Sequence, residues 1–156
     1  MTVSGSLNLI LCDGAVLTFD EGISLPEGST LTVYGGVNGT GELRAQITKY
    51  ENCAAIGGSK KQHGGNLIVH GGKVFADNTK TSKAPAIGGG GGEHFHMKGS
   101  ITVYGGELSA KAGKYGAGIG GGFYGNMEGS VTVYGGSIKA FGGRYGAVSA
   151  AVKAAV

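Results

Sequence analysis

The stretch GSITVYGGELSAKAGKYGAGIGGG, residues 99–122, carries the strongest structural signal in the chain, because nearly the same letters return as GSVTVYGGSIKAFGGRYGA at 129–147. Within it, ITVY is typical of a β-strand, and a glycine pair follows. Related apolar words occur at 9–12, 31–34 and 67–70, so the motif recurs about every 22 to 36 residues. Recurrence at such spacings indicates a repeat architecture in which each unit stacks on the next.

Each repeat holds three short segments with strand character. The first is the apolar word, the second follows the glycine pair, and the third precedes a glycine run. The second segments are 41–46, 73–77, 107–111 and 137–141, and the third are 55–58, 86–89 and 118–121. Because no helical period separates them, the sequence predicts an all-β chain: a parallel β-helix, or solenoid, with about three short strands per coil and about five coils.

Alternation along these strands predicts which side chains fill the core. Like residues recur at like positions, so each inward position forms a column through the stack. The predicted columns of the first strand are Leu9, Leu31, Leu67, Ile101 and Val131, and Leu11, Val33, Val69, Val103 and Val133. Those of the second and third strands are Leu43, Val74, Leu108 and Ile138, then Ala45, Ala76, Ala110 and Ala140, and finally Ile23, Ile56, Ile87 and Ile119.

The size and charge of the chain exclude several classes of protein. Its 156 residues suit a single β-helix domain, 1–156. A net charge of +3 with dispersed Lys and Arg argues against a nucleic-acid partner, and no apolar run reaches the roughly 18 residues of a membrane span. The repeat pattern ends before 148–156, VSAAVKAAV, which we expect to be a C-terminal cap, formed by a short helix or a terminal strand. A truncated chain or an altered reading frame would lose the pattern in the same way.

The repeat words also resemble a known family. NLILCDGAVLTF (8–19), GSTLTVYGG (28–36), AAIGG (54–58) and GSITVYGG (99–106) are similar to the Gly-rich β-helix repeats of large secreted and surface proteins of Gram-positive and gut bacteria. The likeness covers essentially residues 5–147. It implies a right-handed helix of the pectin-lyase type, an extracellular or cell-surface setting, and a carbohydrate-binding or adhesin-like role. It brings no catalytic motif with it.

Two outward columns of the first strand carry residues suited to binding a ligand. Aromatic rings recur at Tyr34, His70, Tyr104 and Tyr134, and hydroxyls recur at Thr32, Thr102 and Thr132. Rows of rings on a flat sheet stack on sugar rings while hydroxyls exchange hydrogen bonds with them, so this face is the predicted carbohydrate site. The alternative is that these ladders stabilise the parallel strands.

A second candidate group lies in the loops. Lys114 with Tyr115 and Arg144 with Tyr145 repeat at the same register. Paired cations and rings bind an acidic polysaccharide, such as a uronate polymer, by charge and by stacking. The alternative is that these are solvated loop residues.

The word EHFHMK, residues 93–98, contains the one metal hypothesis. His94 and His96 alternate onto one face, and with Glu93 or His63 they could hold a divalent metal through imidazole nitrogens. The sequence fixes no third ligand, so surface or hydrogen-bonded histidines are the favoured interpretation. We expect no cofactor.

These observations favour a non-enzymatic carbohydrate-binding or adhesin-like module. Hydrolases and lyases need clustered carboxylates, whereas the acids here fall singly, and Lys73 separates Glu42 from Glu107 in the second-strand column. A structural spacer, or a unit that associates end to end through its exposed strand edges, is the alternative. A polysaccharide lyase-like enzyme is the third hypothesis.

Overall fold

The chain forms an all-β structure in a computed structural model that describes residues 1–49, 52–80, 83–145 and 152–154. Fifteen strands within these ranges form three sheets, and every pairing between the strands is parallel. No helix with the length and hydrophobicity to cross a membrane occurs in the described ranges.

The three sheets differ in the length of their strands. Sheet 1 has the order β1 (Ser6–Leu11), β4 (Thr30–Gly35), β7 (Asn66–Val69), β10 (Ile101–Val103), β13 (Val131–Val133) and β15 (Val152–Ala154). Sheet 2 has the order β2 (Val16–Phe19), β5 (Glu42–Gln46), β8 (Lys73–Asn78), β11 (Glu107–Ala112) and β14 (Ser137–Phe141). Sheet 3 consists of the two-residue strands β3 (Ile23–Ser24), β6 (Ile56–Gly57), β9 (Ile87–Gly88) and β12 (Ile119–Gly120).

The chain visits the sheets in a fixed order. From β1 to β14 it passes from sheet 1 to sheet 2 to sheet 3 and returns to sheet 1, so strands three elements apart pair with each other. The last strand, β15, pairs with β13, two elements before it. We call three consecutive strands, one from each sheet, a unit. The second and third strands that the sequence predicts in each unit are confirmed, as is the all-β, parallel architecture.

The apolar columns predicted for sheets 2 and 3 are confirmed as the core, except at Ile138 and Ala140, which are partly buried against it. Leu43, Val74 and Leu108 are in register across sheet 2 and have no exposed surface. Sheet 3 has an equivalent column of isoleucines in register, each at most 1% exposed: Ile23, Ile56, Ile87 and Ile119. Burying each such side chain contributes about 1.5–3 kcal/mol, so the columns are the main source of stability.

The predicted register of the first strand is wrong by two residues. Leu7, not Leu9, pairs with Leu31, and Ile10, not Cys12, pairs with Tyr34. Side chains alternate with a period of two along a strand, so a shift by two preserves the inward and outward pattern on which the prediction rests. From β4 onward, the predicted columns of sheet 1 are correct.

The glycines that follow three of the four isoleucines of sheet 3 are required by close packing; Ser24 follows the first, Ile23. Gly57, Gly88 and Gly120 are in register, with φ of 145°, 145° and 155°. A Cβ on Gly88 would lie 1.7 Å from the carbonyl oxygen of Gly120, and one on Gly57 would lie 2.0 Å from that of Gly88. No side chain fits such a gap, which explains why the letters IGG recur.

Of the two forms that the sequence allows for the C-terminal cap, the structure describes part of a strand. Residues 152–154 form the strand β15, which extends sheet 1 by pairing parallel with β13. The terminal-strand alternative is therefore correct for 152–154. The rest of the predicted cap, 148–151 and 155–156, lies outside the described residues.

Candidate functional site

The predicted aromatic column of sheet 1 forms a stack of rings. Tyr34, His70, Tyr104 and Tyr134 lie with ring centroids 4.7, 4.7 and 4.9 Å apart and with 3–5° between successive planes. These separations match the 4.7–4.9 Å spacing of neighbouring strands. We call this group the ring ladder.

The ring ladder leaves few ring faces open to a ligand. His70 and Tyr104 each have a neighbouring ring on both faces. Sugars stack on ring faces, whereas the ladder presents mainly ring edges and hydroxyls to solvent. Of the threonines beside it, Thr32 is 8% exposed, and Thr102 and Thr132 are half-buried. This geometry favours the alternative interpretation, in which the ladder stabilises the parallel strands.

The second predicted group helps to form a cleft with four aromatic rings. Tyr115 and Tyr145 lie in successive loops after sheet 2, where the Tyr145 N–H donates to the Lys114 carbonyl at 3.0 Å. Their rings are 5.3 Å apart with 19° between the planes. The cleft has a volume of about 270 Å³, and its lining consists of Tyr115, Ala117, Gly121, Gly122, Phe123, Tyr124, Gly125 and Tyr145. We call it the aromatic cleft.

The rings of the aromatic cleft are arranged at several angles. Phe123 lies nearly perpendicular to Tyr115, at 82°, and 51° from the plane of Tyr124. Tyr124 and Tyr145 are 66% and 60% exposed, so much of their surface faces solvent. A volume just under the usual 300–1,000 Å³ of ligand pockets suits one ring of a larger ligand. Phe123 and Tyr124 were not predicted from the sequence.

Two predicted cations border the aromatic cleft. The Lys114 ammonium is 5.1 Å from the Tyr115 ring centroid and 5.7 Å from that of Tyr145. The Arg144 guanidinium is 5.6 Å from the Tyr145 ring centroid. Each distance lies within the range of cation–π attraction, so these cations hold the two tyrosines and leave positive charge beside the cleft.

Tyr124 belongs to a turn that recurs in three successive units. The turn follows the third strand and reads SKKQ at 59–62, GEHF at 92–95 and GFYG at 122–125. Its third residue lies three positions before the bridged residues Gly64, Met97 and Met127. That third residue is Lys61, His94 or Tyr124, and we call these three the turn column.

The turn column has a backbone conformation that disfavours side chains. Lys61, His94 and Tyr124 have φ of 62°, 64° and 58°, and among the described residues Asn52 is the one other non-glycine with positive φ. The left-handed region costs a residue with a Cβ about 1–2 kcal/mol relative to glycine. A chain with 35 glycines nevertheless carries large side chains here. Strain of this kind clusters at functional sites, so the turn column is the strongest local pointer to one.

The histidines of the metal hypothesis have separate partners. The His94 ring lies 6.4 Å from that of Tyr124, whereas the His96 ring stacks on His63 at 5.4 Å. His63 Nδ1 accepts the His96 N–H at 2.9 Å, and His96 Nδ1 accepts the Asn126 N–H at 3.0 Å. Among the residues described, no three His, Cys, Asp or Glu side chains gather as metal ligands would. The geometry favours hydrogen-bonded histidines, and a metal stays a hypothesis.

The acids of sheet 2 form ion pairs with neighbouring cations. Glu42 and Glu107 each pair in register with Lys73, the order that the sequence predicts. Arg44 contacts the Glu42 carboxylate at 2.6 Å, and this contact, with the charges of Arg44 and Lys73, holds the Glu42 pKa below its usual value. Lys139 contacts Glu107 at 3.1 Å.

Comparison of the chain with protein-family models, with curated proteins and with solved structures gave no match. The resemblance of the repeat words to Gly-rich β-helix proteins therefore stays a prediction. The ring ladder, the aromatic cleft and the turn column are the features of the structure that bear on function.

Proposed function

We propose that the chain is a right-handed parallel β-helix, a solenoid of about five coils, that serves as a non-enzymatic carbohydrate-binding module at a cell surface. The fixed order in which the chain visits three parallel sheets supports the solenoid. The aromatic cleft, rather than the ring ladder, is the proposed binding site.

One observation carries the choice of site. Tyr124 has φ of 58° and is 66% exposed, so the chain bears a strained backbone to present a ring that it does not bury. The neighbouring ring of Tyr145 is also exposed and faces the same cleft. Exposed aromatic rings that line one cleft are what sugar stacking requires.

A glycan array probed with the wild-type chain identifies a ligand, and calorimetry with that ligand tests the site. We expect Tyr124→Ala and Tyr145→Ala each to lower affinity about tenfold, which corresponds to the loss of one stacking contact. Tyr34→Ala, which removes an exposed ring at one end of the ring ladder, is the matched control and should bind like the wild type. If Tyr34→Ala weakened binding and the two cleft variants did not, the binding site would be the ring ladder.

Self-association is the second candidate function, favoured by the first unit. The outer edges of β1 and β2 pair with no strand among the described residues. Leu7, Val16 and Leu17 on these strands are 36%, 55% and 36% exposed. An apolar, unpaired edge is a template for another strand.

Light scattering over a range of protein concentrations tests this second candidate. End-to-end assembly would raise the mean mass with concentration, and Leu17→Lys should suppress the rise by placing a charge at the edge. A mass that stays at that of one chain at all concentrations would eliminate the candidate without affecting the carbohydrate proposal.

A further inference from the structure

A second cleft shares a wall with the aromatic cleft and has a different chemical character. It has a volume of about 190 Å³, and its lining consists of Asn52, Lys60, Lys61, Lys83, Gly91, Gly92, Glu93 and Phe123. Phe123 also lines the aromatic cleft, so the two clefts lie next to each other with this side chain as a common wall. We call this one the lysine cleft.

Among the residues that the structure describes, the lining of the lysine cleft carries an excess of positive charge. Its three lysines and the one glutamate, Glu93, leave a formal excess of two positive charges. Four ion pairs of Lys or Arg with Glu form among the described residues, and none of them uses Lys60, Lys61 or Lys83. Three ammonium groups that line one concave surface attract an anion more strongly than the same groups dispersed over a convex surface.

A tight turn and close backbone packing shape the lysine cleft. Lys60 and Lys61 are the central residues of a turn closed by the Gln62 N–H, which donates to the Ser59 carbonyl at 3.0 Å. Lys61 is the first member of the turn column and has φ of 62°. In the lining, Gly91 packs closely against Asn52, because a Cβ on Gly91 would lie 2.4 Å from Asn52 Cα.

We propose that the lysine cleft is an anion-binding subsite and that the ligand of this protein is an acidic glycan. This inference rests on the proposed carbohydrate function, because one continuous ligand spans both clefts. A sugar ring stacks in the aromatic cleft, and a carboxylate or sulfate on the adjoining sugar lies among Lys60, Lys61 and Lys83. The positive charge of Lys114 and Arg144 beside the aromatic cleft acts in the same direction.

Calorimetry with a matched pair of ligands tests the inference. An oligogalacturonate and its methyl ester have the same sugar rings and differ in charge. We expect the wild type to bind the acid at least tenfold more tightly than the ester, in keeping with hydrogen bonds to charged groups. The triple variant Lys60→Gln, Lys61→Gln, Lys83→Gln should lose most of that preference while binding the ester as the wild type does.

A control variant separates the subsite from general electrostatic attraction. Lys98→Gln, Lys111→Gln, Lys139→Gln removes the same charge at positions outside both clefts and should keep the preference for the acid. Equal loss in both triple variants would overturn the subsite in favour of non-specific attraction. A sulfated oligosaccharide distinguishes sulfate from carboxylate, and tighter binding of single-stranded RNA of equal charge would overturn the assignment to a glycan.

Amide NMR with inorganic sulfate keeps the test independent of the proposed function. Sulfate should shift the Lys60, Lys61, Gly91 and Gly92 signals more than chloride does at equal ionic strength, and the lysine triple variant should lose the effect. If these shifts occur but no sugar binds, the proposed function fails and the anion subsite stands. If sugars bind but sulfate causes no shifts and the acid binds no more tightly than its ester, the subsite fails and the proposed function stands.

Discussion

The ring of Tyr104 lies parallel to the ring of Tyr134, with 4.9 Å between the centroids and 5° between the planes. On its other face the Tyr104 ring stacks on His70 at 4.7 Å. Tyr104 thus has two ring partners in the ring ladder, whereas Tyr134 has one among the described residues. Because an aromatic pair contributes about 0.5–1.5 kcal/mol, position in the ladder should set the cost of removing a ring.

Tyr104→Ala should lower the free energy of unfolding by about 2 kcal/mol, and Tyr134→Ala by about 1 kcal/mol. The difference reflects two lost stacking contacts against one. Urea denaturation monitored by circular dichroism measures both values. Equal costs for the two variants would show that stacking along the ladder is not what these rings contribute.

The close approach of Gly88 to Gly120 gives a second prediction. Gly88→Ala places a Cβ 1.7 Å from the Gly120 carbonyl oxygen at φ of 145°, so the backbone of two units must separate. We expect a loss of about 3 kcal/mol or more of unfolding free energy, or failure to fold. Gly14→Ala is the matched control: its φ is 74° and no atom lies within 4 Å of the added Cβ.

The control separates the free-energy cost of a positive φ from the cost of the steric clash between the added Cβ and Gly120. Gly14→Ala should cost about 1–2 kcal/mol, as expected for a Cβ in the left-handed region. Thermal unfolding of the two variants gives the comparison. If Gly88→Ala were no worse than Gly14→Ala, sheet 3 would be less tightly packed than the structure indicates.

The sequence predicts most of the fold because its strongest constraints are local. Leu43, Val74 and Leu108 recur behind a glycine pair, and the letters IGG recur because Gly88 admits no side chain. The register of β1 could not be predicted, since a shift of two residues leaves the same side chains facing inward. A sequence pattern with period two contains no information that distinguishes these registers.

The candidate site was predicted in part, for a related reason. Lys114, Tyr115, Arg144 and Tyr145 recur as a visible pair of words, and the structure places both tyrosines in one cleft. The turn column does not recur as letters, because its members are Lys61, His94 and Tyr124. What they share is a positive φ. In a sequence, a positive φ is normally indicated by a glycine, and none of these three residues is glycine.

Asp13 gives a prediction for the dependence of stability on pH. Its carboxylate accepts the backbone N–H groups of Asn38 at 3.0 Å and Thr40 at 3.1 Å, together with the side chains of both. These hydrogen bonds, first that from the Asn38 backbone and then that from Thr40, lower the pKa of Asp13. The ionised carboxylate therefore contributes stability above the ordinary aspartate pKa of about 4, and the contribution is lost as pH falls through the lower folded value.

Asp13→Asn should accordingly be less stable than the wild type at pH 7, and the gap should narrow as the pH is lowered below 4. Urea denaturation at pH 7, 4 and 2.5 measures the gap. Glu21→Gln, which neutralises an exposed acid elsewhere in the first unit, should leave the pH dependence close to that of the wild type. A gap that is constant across the pH range would contradict the assigned role of the carboxylate.

Tyr124 gives the prediction that links stability to function. Tyr124→Ala and Tyr124→Gly both remove the ring, so both should lower glycan affinity to the same extent. They differ in the backbone, because glycine relieves the strain at φ of 58° and alanine does not. We expect the glycine variant to be about 1 kcal/mol more stable than the alanine variant, allowing for the greater entropy of glycine in the unfolded chain.

Thermal unfolding and calorimetry on the same two proteins test both statements together. Lys61→Gly provides a parallel case, since Lys61 is exposed, forms no ion pair among the described residues and has φ of 62°. It should be at least as stable as the wild type and should weaken binding of an acidic glycan. If a side chain lowers the stability of the fold and its removal weakens binding, its role is to bind the ligand. Should both glycine variants prove less stable than the wild type by more than about 1 kcal/mol, packing rather than function would explain why the turn column keeps its side chains.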